Sequence, residues 1–346
     1  MTLSFCIPTY NRQEYLRENI LAIIKQLNES IIDEVEICIS DNCSTDGTMA
    51  MLAVLKNEFN RVNLVYKSNA RNIGPDLNYL ESVKISSGQY CWFLGSDDVL
   101  MEGSITEIIN LIKNRYYDII ICNRLECDEN LKPFYYKSWY KNPEKTEFNL
   151  VNKNDLLEYL NISKDSACIF SYLTSIIFYK EKWSRVEYDN SFTGTAYSHA
   201  FMLFSFLQFD TCFLKILDKP MVICRVSGGN TFLDKGLANR IFIDFDGYYK
   251  ISKLHYFDKT TQNALLKIIS NLHPLYRLLR IKCYSSKEDW NKLYNSLILA
   301  NYPVVYLRIL RLIPLSLAHS FSGIMPAFVW LKKYIRHSKF IFGIKN

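Results

Sequence analysis

The chain has 346 residues, 49% of them hydrophobic, and carries 41 Lys plus Arg against 35 Asp plus Glu, a formal charge of +6; this is enough for a large core plus an appendage. Its ten cysteines lie mostly inside apolar runs, and no C-x-x-C pair, HExxH or secretory signal appears, so zinc and an oxidising compartment are disfavoured and a reducing cytoplasm is expected. No G-x-G-x-x-G follows the first apolar segment, no G-x-S-x-G occurs, and neither repeats nor a nucleic-acid recognition motif are seen, which argues against a dinucleotide dehydrogenase, an α/β-hydrolase, a solenoid and a nucleic-acid-binding protein.

The first predicted element is an apolar strand from Leu3 to Ile7. It stops at Pro8-Thr9-Tyr10-Asn11, where Asn11 is expected to cap a helix from Arg12 to about Leu27. A second strand, Val35-Glu36-Ile37-Cys38-Ile39-Ser40, ends in Asp41-Asn42. The turn residues Ser44-Thr45-Asp46-Gly47-Thr48 then introduce a helix to about Phe59, with Asp46 read as a turn or cap residue. A third strand, Val62 to Tyr66, leads into Asn69-Ala70-Arg71-Asn72-Ile73-Gly74, and Pro75 sits where a first helical residue is favoured. A fourth apolar run, Gln89 to Gly95, ends abruptly in Ser96-Asp97-Asp98. Strand and helix thus alternate with a polar cluster at each strand's carboxyl end, which predicts a mostly parallel α/β sheet with its site on one rim.

Two readings stand for the adjacent carboxylates. Asp97 and Asp98 can cap the helix expected near Glu102, since acids favour helix N-termini. Alternatively they hold Mg²⁺ or Mn²⁺ for a diphosphate, because hard oxygen ligands suit those ions and substrate phosphates complete the shell.

The order Pro8-Thr9-Tyr10-Asn11, Ser40-Asp41-Asn42-Cys43-Ser44-Thr45-Asp46-Gly47-Thr48, Asn69-Ala70-Arg71-Asn72-Ile73-Gly74 and Ser96-Asp97-Asp98 resembles the nucleotide-sugar-binding half of family 2 glycosyltransferases with the GT-A fold. The resemblance covers residues 1 to 125 well and 165 to 232 more loosely. Phe5-Cys6-Ile7-Pro8-Thr9-Tyr10-Asn11-Arg12, Tyr90 to Asp98, Phe170-Ser171-Tyr172-Leu173 and Lys219 to Arg225 are similar to the branch of abequosyltransferases and related 3,6-dideoxyhexosyltransferases of bacterial O-antigen synthesis.

This resemblance implies a GT-A domain over 1–232, with a nucleotide-sugar-binding half at 1–125 and an acceptor half at 126–232. It implies that Pro8, Thr9 and Tyr10 line the nucleotide pocket, where strand-end backbone groups can meet a base and Tyr10 can offer a stacking face. Asp41 can accept a ring N–H or exocyclic amine of the base, with Arg71 and Asn72 on the neighbouring rim. Asp97 is expected at the ribose or the metal's water shell, and Asp98 on an ion bridging both phosphates. Arg225 precedes Ser227-Gly228-Gly229-Asn230, a loop expected to close over the diphosphate, with ordinary turn packing as the alternative.

On the acceptor side, His199 falls where the family usually places an Asp base, and a structural histidine is the other reading. Asp189 is the reserve carboxylate. A retaining front-side displacement would need no base, and His199 would then position the acceptor. Ser171, Tyr172 and Thr174 are expected near the acceptor sugar.

From Trp290 to Asn346 there are eight basic residues and no acidic one, while Leu312 to Leu331 is uncharged but broken by Pro314, Gly323 and Pro326. Residues 233–346 are therefore expected to form a helical, basic region. It either packs on the core or lies on the inner leaflet of the bacterial inner membrane, with a spanning helix as a lesser alternative. The expected reaction is transfer from a pyrimidine-nucleotide donor, best a CDP-3,6-dideoxyhexose such as CDP-abequose, to a lipid-linked O-antigen oligosaccharide. A UDP- or dTDP-sugar transferase and a non-catalytic nucleotide-sugar-binding subunit are the rivals.

Overall fold

The computed structural model describes residues 1–141, 143–226 and 236–313. The chain divides into two compact units, Met1–Gly228 and Gly229–Asn346.

In the first unit the elements are β1 (Leu3–Thr9), α1 (Gln13–Ile24), β2 (Val35–Asp41), α2 (Thr48–Glu58), β3 (Asn63–Ser68), α3 (Pro75–Lys84), β4 (Tyr90–Phe93), β5 (Val99–Leu100), α4 (Ser104–Asn114) and β6 (Ile119–Cys127). They continue with β7 (Pro133–Tyr135), β8 (Glu147–Asn149), α5 (Lys153–Ile162), β9 (Ile176–Tyr179), α6 (Lys180–Ser184), α7 (Ser198–Phe204) and β10 (Phe213–Arg225). The strands form one mixed sheet in the order β3-β2-β1-β4-β9-β6-β10-β5, with β7 on β6 and β8 on β10.

The near-continuous apolar runs of β1, β2 and β4 are explained by helices covering both faces of the sheet: every residue of β2 and β4 is buried. Helix α1 turns Leu16, Ile20 and Ile23 inward, and α4 does the same with Ile105, Ile108, Ile109 and Ile112. Each such side chain contributes about 1.5–3 kcal/mol relative to an exposed one.

The expected start of α1 needs correction. Asn11 does not cap it: its backbone is left-handed (φ 50°) and its Oδ1 accepts from the Thr45 N–H at 2.8 Å. Asp46 does the capping instead, accepting from the Gln13 N–H at 3.1 Å and from the Thr48 N–H at 3.0 Å, so one carboxylate serves the first turns of two helices.

The sheet places the site. β1 lies between β2 and β4, parallel to both, and the chain leaves it first toward β2 and later toward β4. The carboxyl ends of β1 and β4 therefore flank the switch point at which α/β sheets open a crevice. Further along, β10 shifts register around Pro220 beside β6, and its end then pairs antiparallel with β5. Since β5 follows Asp98 directly, this pairing brings Arg225 to the tip of β4.

In the second unit, α8 (Leu237–Ser252) packs against α9 (Lys259–Leu272) and α11 (Lys287–Leu299), while α10 (Leu275–Tyr284) packs against α12 (Val304–Leu312). Asp258 and Ser286 cap α9 and α11 through the N–H groups of Thr261 and Asp289. Among the described residues no helix is long and apolar enough to cross a membrane. Almost all of the uncharged stretch from Leu312, and the Ser227-Gly228-Gly229-Asn230 loop, lie outside the described residues.

Candidate active site

The tip of β4 is a tight turn closed by the Asp98 N–H donating to Gly95 O at 3.2 Å. α4 begins at Gly103 with no side-chain cap, so capping does not account for Asp97 and Asp98. Three main-chain carbonyls of the turn are held from outside it. The buried Asn19 of α1 donates Nδ2 to Gly95 O at 3.0 Å and Asp98 O at 2.6 Å, and Arg225 donates to Asp97 O at 2.7 Å. Thr174 adds a fourth tie, accepting from the Gly95 N–H at 3.0 Å and donating to Asp98 Oδ2 at 2.5 Å. The turn is thus rigid before any ligand arrives.

Asp98 is almost fully buried, and Tyr172 also donates to its Oδ2, at 2.7 Å. Burial first, and the neighbouring Asp97 charge second, push its carboxyl up to about 6, against the two hydroxyl donors and the Arg124 charge. Asp97 forms an ion pair with Arg12, which stands just beyond the end of β1, so the pair spans the switch point. The guanidinium of Arg124 lies 4.1 Å from the Tyr172 ring centre and pairs with Glu126 at 3.1 Å. Two vicinal carboxylates thus sit among three guanidinium groups, those of Arg12, Arg124 and Arg225.

A divalent cation fits this turn in charge and donor chemistry. The raised Asp98 carboxyl marks a place where added positive charge stabilises the ionised form, and its two hydroxyl donors both fall on Oδ2. Among the described residues no group of three or more His, Cys, Asp or Glu side chains is arranged to hold a metal, so a cation bound here would need phosphate and water oxygens to complete its shell.

The rim residues predicted from sequence lie at the carboxyl ends of β1 and β2 and on the loop after β3. Thr9 is buried with its Oγ1 unpaired, Pro8 is half-buried, and Tyr10 is exposed at the strand tip. The Asn11 N–H donates to Ser44 Oγ at 2.8 Å, Asn42 Nδ2 donates to Asn72 Oδ1 at 2.9 Å, and the Ile73 N–H donates to Asn42 Oδ1 at 2.9 Å. Arg71 and Asn72 are exposed beside this lacing. Asp41 differs from expectation: it is fully buried and accepts from the Ser44 N–H and from Ser68 Oγ, so in this state it shapes the loop beneath the rim.

Three further expectations meet a different geometry. Arg225 was expected on phosphate, but its side chain is enclosed and occupied by Glu18, Asp97 O and Glu129 O, with the Tyr15 ring 5.0 Å away; it braces the acid turn. His199 was expected as a base, but it is 1% exposed, its Nε2 donates to Phe170 O at 2.7 Å, and burial lowers its imidazole to about 4. A ring so enclosed is a poor base for an incoming hydroxyl. Asp189 is exposed and caps a short turn by accepting from the Ser191 N–H at 2.8 Å.

Several site residues had escaped a functional reading. Asn19 interrupts the apolar face of α1, and Arg124 interrupts the apolar run of β6; both were available signals. Asp76, in the first turn of α3, is buried and accepts from the Gly194 N–H at 2.8 Å, the Ala196 N–H at 3.1 Å and Ser198 Oγ at 2.9 Å. It holds a strained loop, since Ala196 has φ 62°.

Comparison with known proteins places the chain in a family and agrees with its fold. Residues 4–176 match the sequence profile of Glycosyl transferase family 2. The abequosyltransferase RfbV of Salmonella typhimurium is 39% identical over 296 residues, covering 84% of this chain and 86% of that protein. The GalNAc(5)-diNAcBac-PP-undecaprenol beta-1,3-glucosyltransferase of Campylobacter jejuni is 26% identical over 335 residues, covering 94% and 98%. The structure of Staphylococcus aureus TarS 1–349 in complex with UDP-GlcNAc superposes with a TM-score of 0.64 at 15% identity, covering 94% of this chain and 92% of that one, a likeness of fold. The chain belongs to glycosyl transferase family 2. It is a GT-A glycosyltransferase similar to abequosyltransferase, with a helical C-terminal region.

Proposed function

We propose that the chain transfers a sugar from a pyrimidine-nucleotide donor, best a CDP-3,6-dideoxyhexose such as CDP-abequose, to a lipid-linked O-antigen oligosaccharide. The observation that carries this reading is the braced Asp97-Asp98 turn at the switch point of the sheet, ringed by arginines. The extent of similarity to an abequosyltransferase supports the donor class.

In this reading Tyr10 stacks on the base, Pro8 and Thr9 present backbone groups to it, and Arg71 and Asn72 form the adjoining wall. Asp41 supports the base-binding loop and meets the base only if that loop opens. Arg12 exchanges its pairing with Asp97 for the diphosphate, whose charge grows as the glycosidic bond breaks. Asp98, with Asp97 beside it, would hold Mg²⁺ or Mn²⁺, which when bound supplies charge neutralisation to the departing nucleoside diphosphate. The enclosure of His199 favours front-side displacement with retention, which needs no base. Asp189 is the sequence-derived carboxylate left for an inverting alternative. We place the chain on the cytoplasmic face of the bacterial inner membrane, where a lipid-linked acceptor would be reached; the similarity to a transferase named for an undecaprenol-linked substrate supports this location.

A second reading, a UDP- or dTDP-sugar transferase for another surface polysaccharide, is favoured by the fold likeness to TarS solved with UDP-GlcNAc. Thermal unfolding with a panel of CDP-, UDP- and dTDP-sugars, with and without Mn²⁺, separates the two. Protection confined to CDP-sugars supports the first reading, and protection by UDP- or dTDP-sugars alone overturns it.

A further inference from the structure

The second unit carries an exposed surface of unusual composition. In α12, successive positions turn by about 100°, so Val304, Val305, Arg308, Arg311 and Leu312 share one face, opposite the buried Leu310. Val304 is 63% exposed, Val305 66% and Leu312 78%, and both arginines are exposed. Ile298 and Leu299, at the end of α11, are also exposed and flank the turn into α12. A water-facing helix surface ordinarily carries charged residues of both signs. This one is apolar and basic, and no acidic residue occurs anywhere after Asp289.

We propose that the outer face of α12, with the α11–α12 turn, is the surface by which the chain lies on an anionic lipid bilayer. Its chemistry matches that partner on two counts. Branched aliphatic side chains enter the acyl boundary, while Arg308 and Arg311 pair with anionic headgroups at its edge. A soluble acidic partner would satisfy the arginines but leave the valines and Leu312 in water. The purpose of this surface, bringing the catalytic unit to a lipid-linked acceptor, rests on the reading proposed above.

The test is flotation of the full chain with phosphatidylcholine vesicles, with and without phosphatidylglycerol. Two variants are compared, Val304→Asp/Val305→Asp and Arg308→Ser/Arg311→Ser, each checked for an unchanged unfolding transition because the substituted side chains face solvent. The wild type floats with phosphatidylglycerol vesicles, and added salt weakens this. The arginine variant loses roughly 25-fold in partitioning, from two residues each contributing about fivefold. The valine variant loses at least about tenfold, since it removes the apolar contact and adds two carboxylates that anionic headgroups repel. Absence of wild-type flotation, or flotation unchanged in both variants, overturns the proposal. A self-association that both variants abolish, without flotation, assigns the face to a second copy and also overturns it. Nucleotide-sugar protection is measured on the same samples. Lost flotation with donor binding intact sinks only the membrane surface, whereas flotation without any donor binding sinks only the transfer reaction.

Discussion

Asp98→Asn should stabilise the protein while abolishing transfer, and the size of the gain follows from the site. Asp98 titrates near 6 in the folded chain, against an ordinary value of 3.8, chiefly because it is buried and secondarily because Asp97 is ionised beside it. The folded state therefore holds a proton that the unfolded state releases between those values, so this group lowers stability as pH rises from 3.8 through 6, with no further loss above. The full cost of ionising it in the fold is about 3 kcal/mol by about pH 8 and roughly half of that at about pH 5. Asparagine escapes this cost: its carbonyl can accept from Tyr172 and Thr174, and it carries no charge to repel Asp97. Chemical or thermal unfolding of the wild type and Asp98→Asn at both pH values gives the measurement. The variant gains up to about 3 kcal/mol at the higher pH, a rise of roughly 6–12 °C in Tm for a unit of this size, and about half of this at the lower. Sugar transfer falls by about 10²-fold or more, because the charge facing the leaving group is gone. Equal stability at the higher pH, or a gain that does not shrink on acidification, would refute the reasoning.

Other perturbations probe the supports of the site. In Gly95→Ala the new Cβ falls 3.1 Å from Asp98 Oδ2 and 3.2 Å from both Asp97 Oδ1 and Thr174 Oγ1; displacing both carboxylates should lower kcat about 10-fold to 100-fold, and a wild-type kcat would show that the turn tolerates the shift. Asp76→Ala strands three donors of the 194–198 loop and should cost about 3 kcal/mol in urea unfolding, with acceptor KM rising more than donor affinity falls; an unmoved midpoint contradicts the assigned role. His199→Phe should leave the pH–rate profile unchanged between about 6 and 7. It should also remove a stability loss of about 3 kcal/mol, which in the wild type develops as pH falls from 6.5 toward 4 because a ring buried neutral must take a proton on unfolding; a lost acid limb of activity would restore the base assignment.

The alternation of strands and helices was legible because each apolar run is long enough to be a buried strand and each is closed by turn chemistry. The parallel order β3-β2-β1-β4 follows from that alternation. What the pattern did not disclose was the antiparallel β9 between β4 and β6, or the bend of β10 around Pro220. Both depend on long-range pairing, and a run such as Ile176–Tyr179 fits either strand direction equally well. Asn11 shows the same limit on a smaller scale. Its side chain had two donors to choose from, the first turn of α1 and the Thr45 N–H across the rim, and only the assembled loops decide between them.

At the site, the adjacent carboxylates were visible in the sequence, whereas the side chains that brace their turn were not. Asp97 and Asp98 announce themselves as two charges ending an apolar run. Asn19, Thr174 and Arg225 act through backbone carbonyls and N–H groups, which have no signature in sequence because every residue carries them. Arg225 illustrates this: a guanidinium ahead of a Gly-Gly loop suggested phosphate, whereas in the structure it spends its donors on Glu18, Glu129 O and Asp97 O. His199 had two readings, base or structural histidine, and the fold closed over it in the way the second requires. The two cases share a physical origin. A buried polar group left without a partner costs about 1–3 kcal/mol, so the fold recruits charged and ring donors for bracing wherever a tight turn exposes carbonyls. Near an acid turn as constrained as Gly95–Asp98, a half-buried cation such as Arg12, which still reaches solvent, is therefore the better candidate for ligand contact than an enclosed one.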